Sequence, residues 1–100
     1  MSIFLHKDSR NVTTVGSSAE FKTGQIDGLL QHFIVRANTP STIFDVTFYD
    51  DDDVILLERN DVDGEINEMF QMPVKGSYTV SIKNATNDEV FRVYLAIREI

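Results

Sequence analysis

The sequence predicts an all-β fold, a single antiparallel β-sandwich with seven to nine strands. Short segments rich in branched and aromatic residues alternate between apolar and polar positions, which is the two-residue period of a half-buried strand. Turn-forming residues separate these segments at regular short intervals, and no segment carries a convincing helical period. A chain of 100 residues can build one two-layer core but not two, so we expect one domain over residues 1–100.

The first quarter of the chain gives only weak strand signals. Ile3–Leu5 and Glu20–Thr23 are short candidates. Between them, residues 7–19 are polar and rich in Ser and Thr, with a weak strand signal only near Val12–Val15. Because this segment offers little apolar surface to a core, we expect it to form a polar N-terminal loop or arm.

Gly28–Ala37 is the longest strand candidate. A strand with apolar residues on both faces is central in its sheet or covered on both sides, and this segment has that pattern. The turn residues 38–41 end it. On one face lie Leu29, Phe33, Val35 and Ala37, and on the other lie Leu30 and Ile34.

The middle of the chain alternates more regularly. Thr42–Tyr49 reads as a strand, Asp50–Asp53 as a turn, Val54–Leu57 as a short strand and Asn60–Gly64 as a second turn. The first of these strands directs three large apolar residues inward, namely Phe44, Val46 and Phe48.

Two further segments complete the predicted sheets. Glu65–Met72 places Ile66, Phe70 and Met72 on one face, although a single helical turn fits this spacing as well. Glu89–Arg98 reads as the last strand. Its inward residues are in phase with one another and comprise Phe91, Val93, Leu95 and Ile97.

The segment Met72–Ile82 is the most informative stretch of the chain. It predicts a turn that carries Pro73 and Gly76, followed by a strand that Tyr78 opens. A tyrosine at such a corner can bury its ring and bond its hydroxyl to nearby backbone, which fixes the crossing between two packed sheets. We therefore assign these three residues a structural role.

This corner gives the chain a family resemblance. Met72–Asn84 resembles the tyrosine-corner region of immunoglobulin-like sandwiches such as fibronectin type III and PKD domains, and the resemblance implies that Asp88–Ile97 completes the sheet. Jelly rolls also open strands with Gly-x-Tyr, so both topologies remain open. The chain lacks the Cys…Trp…Cys core of antibody domains, which excludes that class.

Composition excludes several kinds of site. The chain has no cysteine, so it has no disulfides, no thiolate nucleophile and none of the usual structural zinc sites. The N-terminal residues lack a signal-peptide pattern and no stretch approaches membrane-spanning length. We expect synthesis in a reducing cytoplasm and no membrane partner.

Negative charge is concentrated in one block. Residues 50–68 carry nine carboxylates opposed only by Arg59, whereas the rest of the chain is nearly balanced. Such a field disfavours nucleic acid and anionic membranes as partners. We interpret the block as a solvated acidic edge that discourages edge-to-edge strand pairing.

Calcium is the one metal that this block suggests, and we keep it only as a minor hypothesis. The weak candidate ligands are the carboxylates of Asp50, Asp52, Asp61 and Asp63. Their spacing does not match an EF-hand, and the two turns are expected at opposite ends of a strand, on the order of 15 Å apart. The expectation is therefore a chain without a cofactor.

The sequence contains no catalytic constellation. His6 and His32 have no metal-ligand spacing, and there is neither a nucleophile elbow nor a phosphate-binding glycine loop. We expect a non-enzyme. A carbohydrate-binding module is a further alternative, because Tyr49 and Tyr94 lie out of phase with the core residues of their strands, although the chain has no tryptophan.

These exclusions favour a structural or interaction module. A small sandwich made without a signal and without cysteine resembles the decoration (cement) proteins of bacteriophage capsids, and this resemblance implies a protein partner in the virion shell. Tail or fibre accessories are the alternative, and self-association on the particle is compatible with either. The expected contact residues are Lys7 and Arg10 of the arm Lys7–Ser18, and Arg92, Tyr94 and Arg98 on the outward face of the last strand.

Overall fold

The computed structural model describes the backbone of residues 4–99 and the side chains of residues 9–98. This part of the chain contains strands and no helix, and therefore no helix long and apolar enough to cross a membrane. The predicted all-β class and strand number are confirmed. The eight strands are β1 (Phe4–Thr13), β2 (Ala19–Lys22), β3 (Ile26–Ala37), β4 (Ile43–Asp50), β5 (Ile55–Asp63), β6 (Glu65–Gly76), β7 (Tyr78–Lys83) and β8 (Val90–Glu99).

The strands form two four-stranded antiparallel sheets packed as a sandwich. Sheet 1 has the order β1-β8-β3-β6 and sheet 2 has the order β2-β7-β4-β5. Every connection except β4–β5 therefore crosses from one sheet to the other, and the first strand lies beside the last, as in a jelly roll of two Greek keys. An immunoglobulin domain would instead place four and three strands in the order ABED and CFG. The immunoglobulin-like alternative is thus wrong, and the jelly-roll alternative holds.

Alternating residues of both sheets fill the core as the sequence predicts. The aromatic rings interlock edge to face, with the Phe33 and Phe48 ring centroids 5.6 Å apart and those of Phe44 and Phe91 4.8 Å apart. Because each pair joins one sheet to the other, these contacts fix the sheet packing. The fully buried side chains are Phe33, Phe44, Phe48, Phe91, Leu30, Ile82, Leu95, Ile97, Val35, Val46, Val80 and Val93.

The predicted faces of β3 are wrong at one point. Leu30 was expected opposite Phe33, yet it is 0% exposed and lies on the same core face. The pairing of β3 shifts by one residue between Leu30 and His32, on both the β6 side and the β8 side. A bulge at Gln31 therefore resets the phase of the strand, so that Leu29 takes the partly exposed face instead.

The polar segment 7–19 is not a free arm. Residues up to Thr13 belong to β1, which pairs with β8 as far as the Thr13–Val90 partners, and only residues 14–18 connect β1 to β2. A short bridge between Val15 and Ser18 closes this connection. β1 is an edge strand of sheet 1. Edge strands often carry polar and charged residues, so the composition of this segment did not reveal a strand.

Two predicted turns are also strands. Asn60–Gly64 was expected to turn, but β5 continues to Asp63 and accommodates a bulge at Asp61, where φ is +53°. The real turn is at Gly64, whose φ of +79° and close approach to the Pro40 carbonyl leave no room for a side chain.

The turn predicted to carry Pro73 is shifted as well. Pro73 lies within β6, opposite Leu29. Because β6 is the edge of sheet 1, the missing proline N–H costs no hydrogen bond to a second neighbour. The chain changes sheets only after Gly76, whose φ is +115°.

Tyr78 links the two sheets at this corner. It opens β7 in sheet 2, is 6% exposed and stacks on Phe48 with a ring-centroid distance of 5.1 Å. Its hydroxyl accepts a hydrogen bond from the Lys75 N–H at 2.7 Å and donates one to the Lys75 carbonyl at 3.2 Å, so it binds the backbone of β6 in sheet 1. Thr23 completes the corner by accepting the Tyr78 N–H on its hydroxyl at 2.9 Å.

Candidate functional site

The outward side of sheet 1 is the strongest candidate for an interaction surface. Since the fully buried residues of β8 and β3 point into the core, the residues between them point outward. The register places these outward residues in rows across β1, β8, β3 and β6. We call this surface the docking face, and its members are Ser9, Asn11, Arg92, Tyr94, Ala96, Arg98, Leu29, His32, Ile34, Arg36, Glu65, Asn67 and Met69.

Two arginines lie directly opposite each other at the centre of one row. Arg36 of β3 is the cross-strand partner of Arg92 of β8. Arg36 donates from Nε to Glu65 Oε1 at 2.6 Å, whereas Arg92 has no ion pair with any described side chain. Like charges directly opposite each other on a sheet are destabilising. Within the described residues, Glu65 offsets the charge of Arg36, whereas Arg92 has no carboxylate beside it.

The neighbouring rows are apolar and aromatic. Tyr94 lies opposite Ile34, and His32 stands edge-on to the Tyr94 ring with the centroids 6.1 Å apart. His32 also bonds through Nε2 to Asn67 Oδ1 at 2.5 Å, which fixes the imidazole. At the margin, the Met69 side chain is 79% exposed. The docking face thus combines fixed rings at its centre with an exposed apolar side chain at its margin.

Two shallow depressions lie beside the pair formed by Arg36 and Arg92. One, of about 170 Å³, is lined by Ile34, Arg36, Arg92 and Tyr94. A second, of about 330 Å³, adjoins it and shares the two arginines. Such open concavities can receive protruding side chains of a partner, and guanidinium groups at their rims suit carboxylates in particular.

Charge sets the docking face apart from the rest of the molecule. Residues 29–37 and 90–98 contain three arginines and no carboxylate, although the whole chain has a net charge of −7. Apart from Glu65, which pairs with Arg36 on the docking face, the acidic block lies elsewhere, on the β4–β5 turn, on β5 and at Glu68 of β6. There Arg59 joins the two sheet edges through Glu68, with N–O distances of 2.8 and 2.9 Å, and this carboxylate raises the pKa of the Arg59 guanidinium.

The structure brings together only part of the expected contact set. Arg92, Tyr94 and Arg98 lie on the docking face as neighbours along β8. Arg10 does not, because its guanidinium carbon lies 5.0 Å from the centroid of the Phe21 ring on the other sheet. The side chain of Lys7 lies outside the described residues. Ile34 and Arg36, which the sequence did not single out, join the surface through the register of β3.

The weak calcium candidates are divided between two places. Asp50 and Asp52 belong to the β4–β5 turn, where Asp50 Oδ1 accepts the N–H groups of Asp52 and Val54, each at 2.9 Å. Asp61 and Asp63 lie at the other end of β5. In the part of the chain that the structure describes, no three histidine, aspartate or glutamate side chains form a group that could hold a metal ion.

Comparison with known proteins finds structures with a similar fold but assigns the chain to no family. No protein-family model matches the chain, and no curated protein matches it. Among solved structures, PliG from Aeromonas hydrophila, a periplasmic lysozyme inhibitor of g-type lysozyme, is similar with a TM-score of 0.53 and 12% identity, over 94% of this chain and 87% of that one.

Enzymes contain similar domains. A family two carbohydrate esterase from Cellvibrio japonicus has a TM-score of 0.50 and 12% identity, and the match covers 99% of this chain but only 35% of the esterase. The chain thus spans about a third of that enzyme. At this level of identity the likeness concerns the fold alone, because one architecture serves inhibitors and enzymes alike.

Proposed function

We propose that this chain is a non-enzymatic subunit of a virion surface, which binds the capsid shell through its docking face as a decoration protein. The observation that carries the proposal is the cross-strand pair Arg36–Arg92. A protein with net charge −7 keeps two arginines opposite each other on the outward surface of sheet 1, where a partner carboxylate would reduce their repulsion.

The partner that fits is an acidic patch on a folded protein. Carboxylates would pair with Arg92 and Arg98, and apolar side chains would cover Tyr94, Ile34 and Met69. The two longer dimensions of the molecule, 45 and 26 Å, bound a face on the order of 1,000 Å², compared with about 800 Å² per partner in a typical stable complex. A nucleic acid is disfavoured by the overall negative charge.

The surface that we propose for docking differs from the arm and strand edges that the sequence suggests. Because residues 7–13 are part of β1, they are not a free arm that could reach across shell subunits. Sheet-edge pairing is also disfavoured on one side, where β5 carries several carboxylates. The outward surface of sheet 1 therefore takes the role of the contact, and the proposal needs neither a cofactor nor a calcium ion.

Mass spectrometry of purified particles tests this function. Virions would be banded from a lysate of cells that produce the chain, and peptides would be quantified against the major shell protein. We expect the chain in the particle fraction at many copies per particle, and cryo-electron microscopy would then separate a capsid location from a tail or fibre location. Absence from the particles would refute a virion role.

A further inference from the structure

The outward side of sheet 2 carries a second, separate site. A depression of about 330 Å³ lies there, on the opposite side of the sandwich from the docking face. Its centre is the row in which Thr47 of β4 lies between Ser81 of β7 and Glu58 of β5. We call it the trough, and it is lined by Thr47, Tyr49, Asp53, Ile55, Glu58, Ser81 and Lys83.

The shape of the trough follows from side-chain length. Ser81 and Thr47 are short and form the floor. In the neighbouring row on one side, Tyr49 lies opposite Ile55, and these two longer side chains rise above the floor. In the neighbouring row on the other side, the side chain of Lys83, whose cross-strand partner is Asp45, rises above the floor. The register of the sheet thus produces a concavity with one aromatic wall and one basic wall.

The floor presents hydroxyl groups without partners. The Ser81 side chain is only 3% exposed, yet its hydroxyl makes no hydrogen bond with any described residue. No fully buried side-chain oxygen or nitrogen in the described part of the chain lacks a partner, so the Ser81 hydroxyl still reaches the trough. A nearly buried hydroxyl normally finds a hydrogen-bond partner, and a group bound in the trough can supply one because Ser81 lines it.

Charged groups around the floor can accept and donate several hydrogen bonds at once. Glu58 and Asp53 provide carboxylate acceptors, and Lys83 provides donors. Asp53 is held in place by its turn, since its N–H donates to the Asp50 carbonyl at 3.1 Å. Two carboxylates against one ammonium group disfavour an anionic ligand, and the hydroxyl floor disfavours a purely apolar one.

We propose that the trough binds a neutral saccharide of one or two rings. The Tyr49–Ile55 wall would contact the apolar side of the sugar ring, while adjacent sugar hydroxyls bond to the floor and to Glu58. The volume lies at the lower end of the range for small-molecule sites. This inference does not depend on the virion role, but a subunit bound by sheet 1 would present the trough to the surroundings.

Amide chemical shifts of the isolated protein test the proposal. The 15N-labelled chain would be titrated with glucose, galactose, mannose, N-acetylglucosamine, maltose and cellobiose, each to about 50 mM, because a small open site is expected to bind in the millimolar range. We expect saturable shifts with at least one sugar, centred on Thr47, Tyr49, Glu58 and Ser81.

Variants separate binding in the trough from binding elsewhere. Ser81→Ala is expected to weaken the affinity about fivefold through loss of one hydrogen bond, and Tyr49→Ala to remove saturation. Tyr94→Ala, on the docking face, is the matched control and should leave the affinity unchanged. For each variant, unperturbed amides of the sheet that does not carry the substitution report that the protein is folded. The proposal is overturned by no saturable shift with any of the six sugars, or by shifts that survive both trough variants.

Discussion

Arg36 and Arg92 face each other directly across β3 and β8, and only Arg36 has a carboxylate beside it among the described side chains. Glu65 offsets the charge of Arg36, whereas no described carboxylate offsets that of Arg92. Because local conflicts of this kind tend to occur at functional sites, the pair is the basis on which we propose the docking face as a contact surface.

The stability of an Arg92 variant checks this interpretation first. Arg92→Gln removes the repulsion and keeps much of the side-chain stem, so the free energy of unfolding should rise by about 0.2–1 kcal/mol. Arg98→Gln is the control, because Arg98 lies opposite Leu29 and has no like charge across the strand. Urea denaturation measures both. A loss of stability in Arg92→Gln greater than that of the control would show that the arginine pair is not a strained feature.

Removal of the Tyr78 hydroxyl is expected to lower the stability of the folded protein. Tyr78→Phe keeps the stacked ring but leaves the Lys75 N–H and carbonyl without the hydroxyl, so the free energy of unfolding should fall by about 0.5–1.5 kcal/mol. Tyr94→Phe removes a hydroxyl that bonds to no described residue and should change stability little. Equal effects of the two substitutions would contradict the role given to the corner.

Glu89 forms a buried junction between three loops. Its side chain is 8% exposed, and Oε1 accepts a hydrogen bond from the Thr42 hydroxyl at 2.9 Å. At its backbone, the Glu89 N–H donates to the Thr14 hydroxyl at 2.8 Å. Glu89→Ala should destabilise the protein by about 1.5–3 kcal/mol, because it removes hydrogen bonds to a charged group.

A double-mutant cycle isolates that contact. Thr42→Val and Glu89→Ala would each be measured alone and together by urea denaturation, and we expect a coupling energy above about 0.5 kcal/mol. Additive effects of the two substitutions would show that the hydroxyl and the carboxylate do not cooperate.

Asp45 predicts a specific pH dependence. The Asp61 N–H at 2.9 Å and the Asn84 side-chain amide at 2.5 Å hold the pKa of this carboxyl below its ordinary value of 3.8. A lowered pKa in the folded state means that the ionised group contributes stability above pH 3.8, and that this contribution disappears as the pH falls through the lowered value.

Melting temperatures at two pH values test whether the stability contributed by Asp45 is lost in acid. Asp45→Asn should be less stable than wild type near neutral pH, and the difference should shrink below pH 3.8. Asp51→Asn, in the exposed β4–β5 turn, is the matched control for removing one negative charge. A difference for Asp45→Asn that stays constant across the acid range would contradict the proposed hydrogen bonding.

Periodicity recovers the parts of the fold in which one strand face is buried without interruption. β4 and β8 alternate along their length, so Phe44 and Phe91 could be placed in the core from the sequence. The bulge at Gln31 could not be found in this way, since one inserted residue reverses the phase without changing the composition. β1 was missed because an edge strand can be polar.

The sites were harder to predict than the core. Arg92 and Tyr94 could be identified as outward residues, but their neighbours Ile34 and Arg36 join them only through the β3–β8 register, which no local pattern encodes. Tyr49 could be named as a candidate carbohydrate contact from the sequence, but the rest of the trough escaped prediction for the same reason. Its floor joins Ser81 to Thr47, residues that are far apart in the sequence and individually unremarkable.

Particle binding by a charge-reversed docking face tests the central claim most directly. Particles that lack the chain would be mixed with wild type, Arg92→Glu or Lys22→Glu, and the bound fraction measured by co-sedimentation; Lys22 is an exposed cation on sheet 2 and serves as the matched control. We predict that wild type and Lys22→Glu bind alike and that Arg92→Glu loses at least about tenfold in affinity, as expected when a desolvated ion pair becomes a repulsion. Undiminished binding of Arg92→Glu, or equal losses in both variants, would contradict docking through sheet 1.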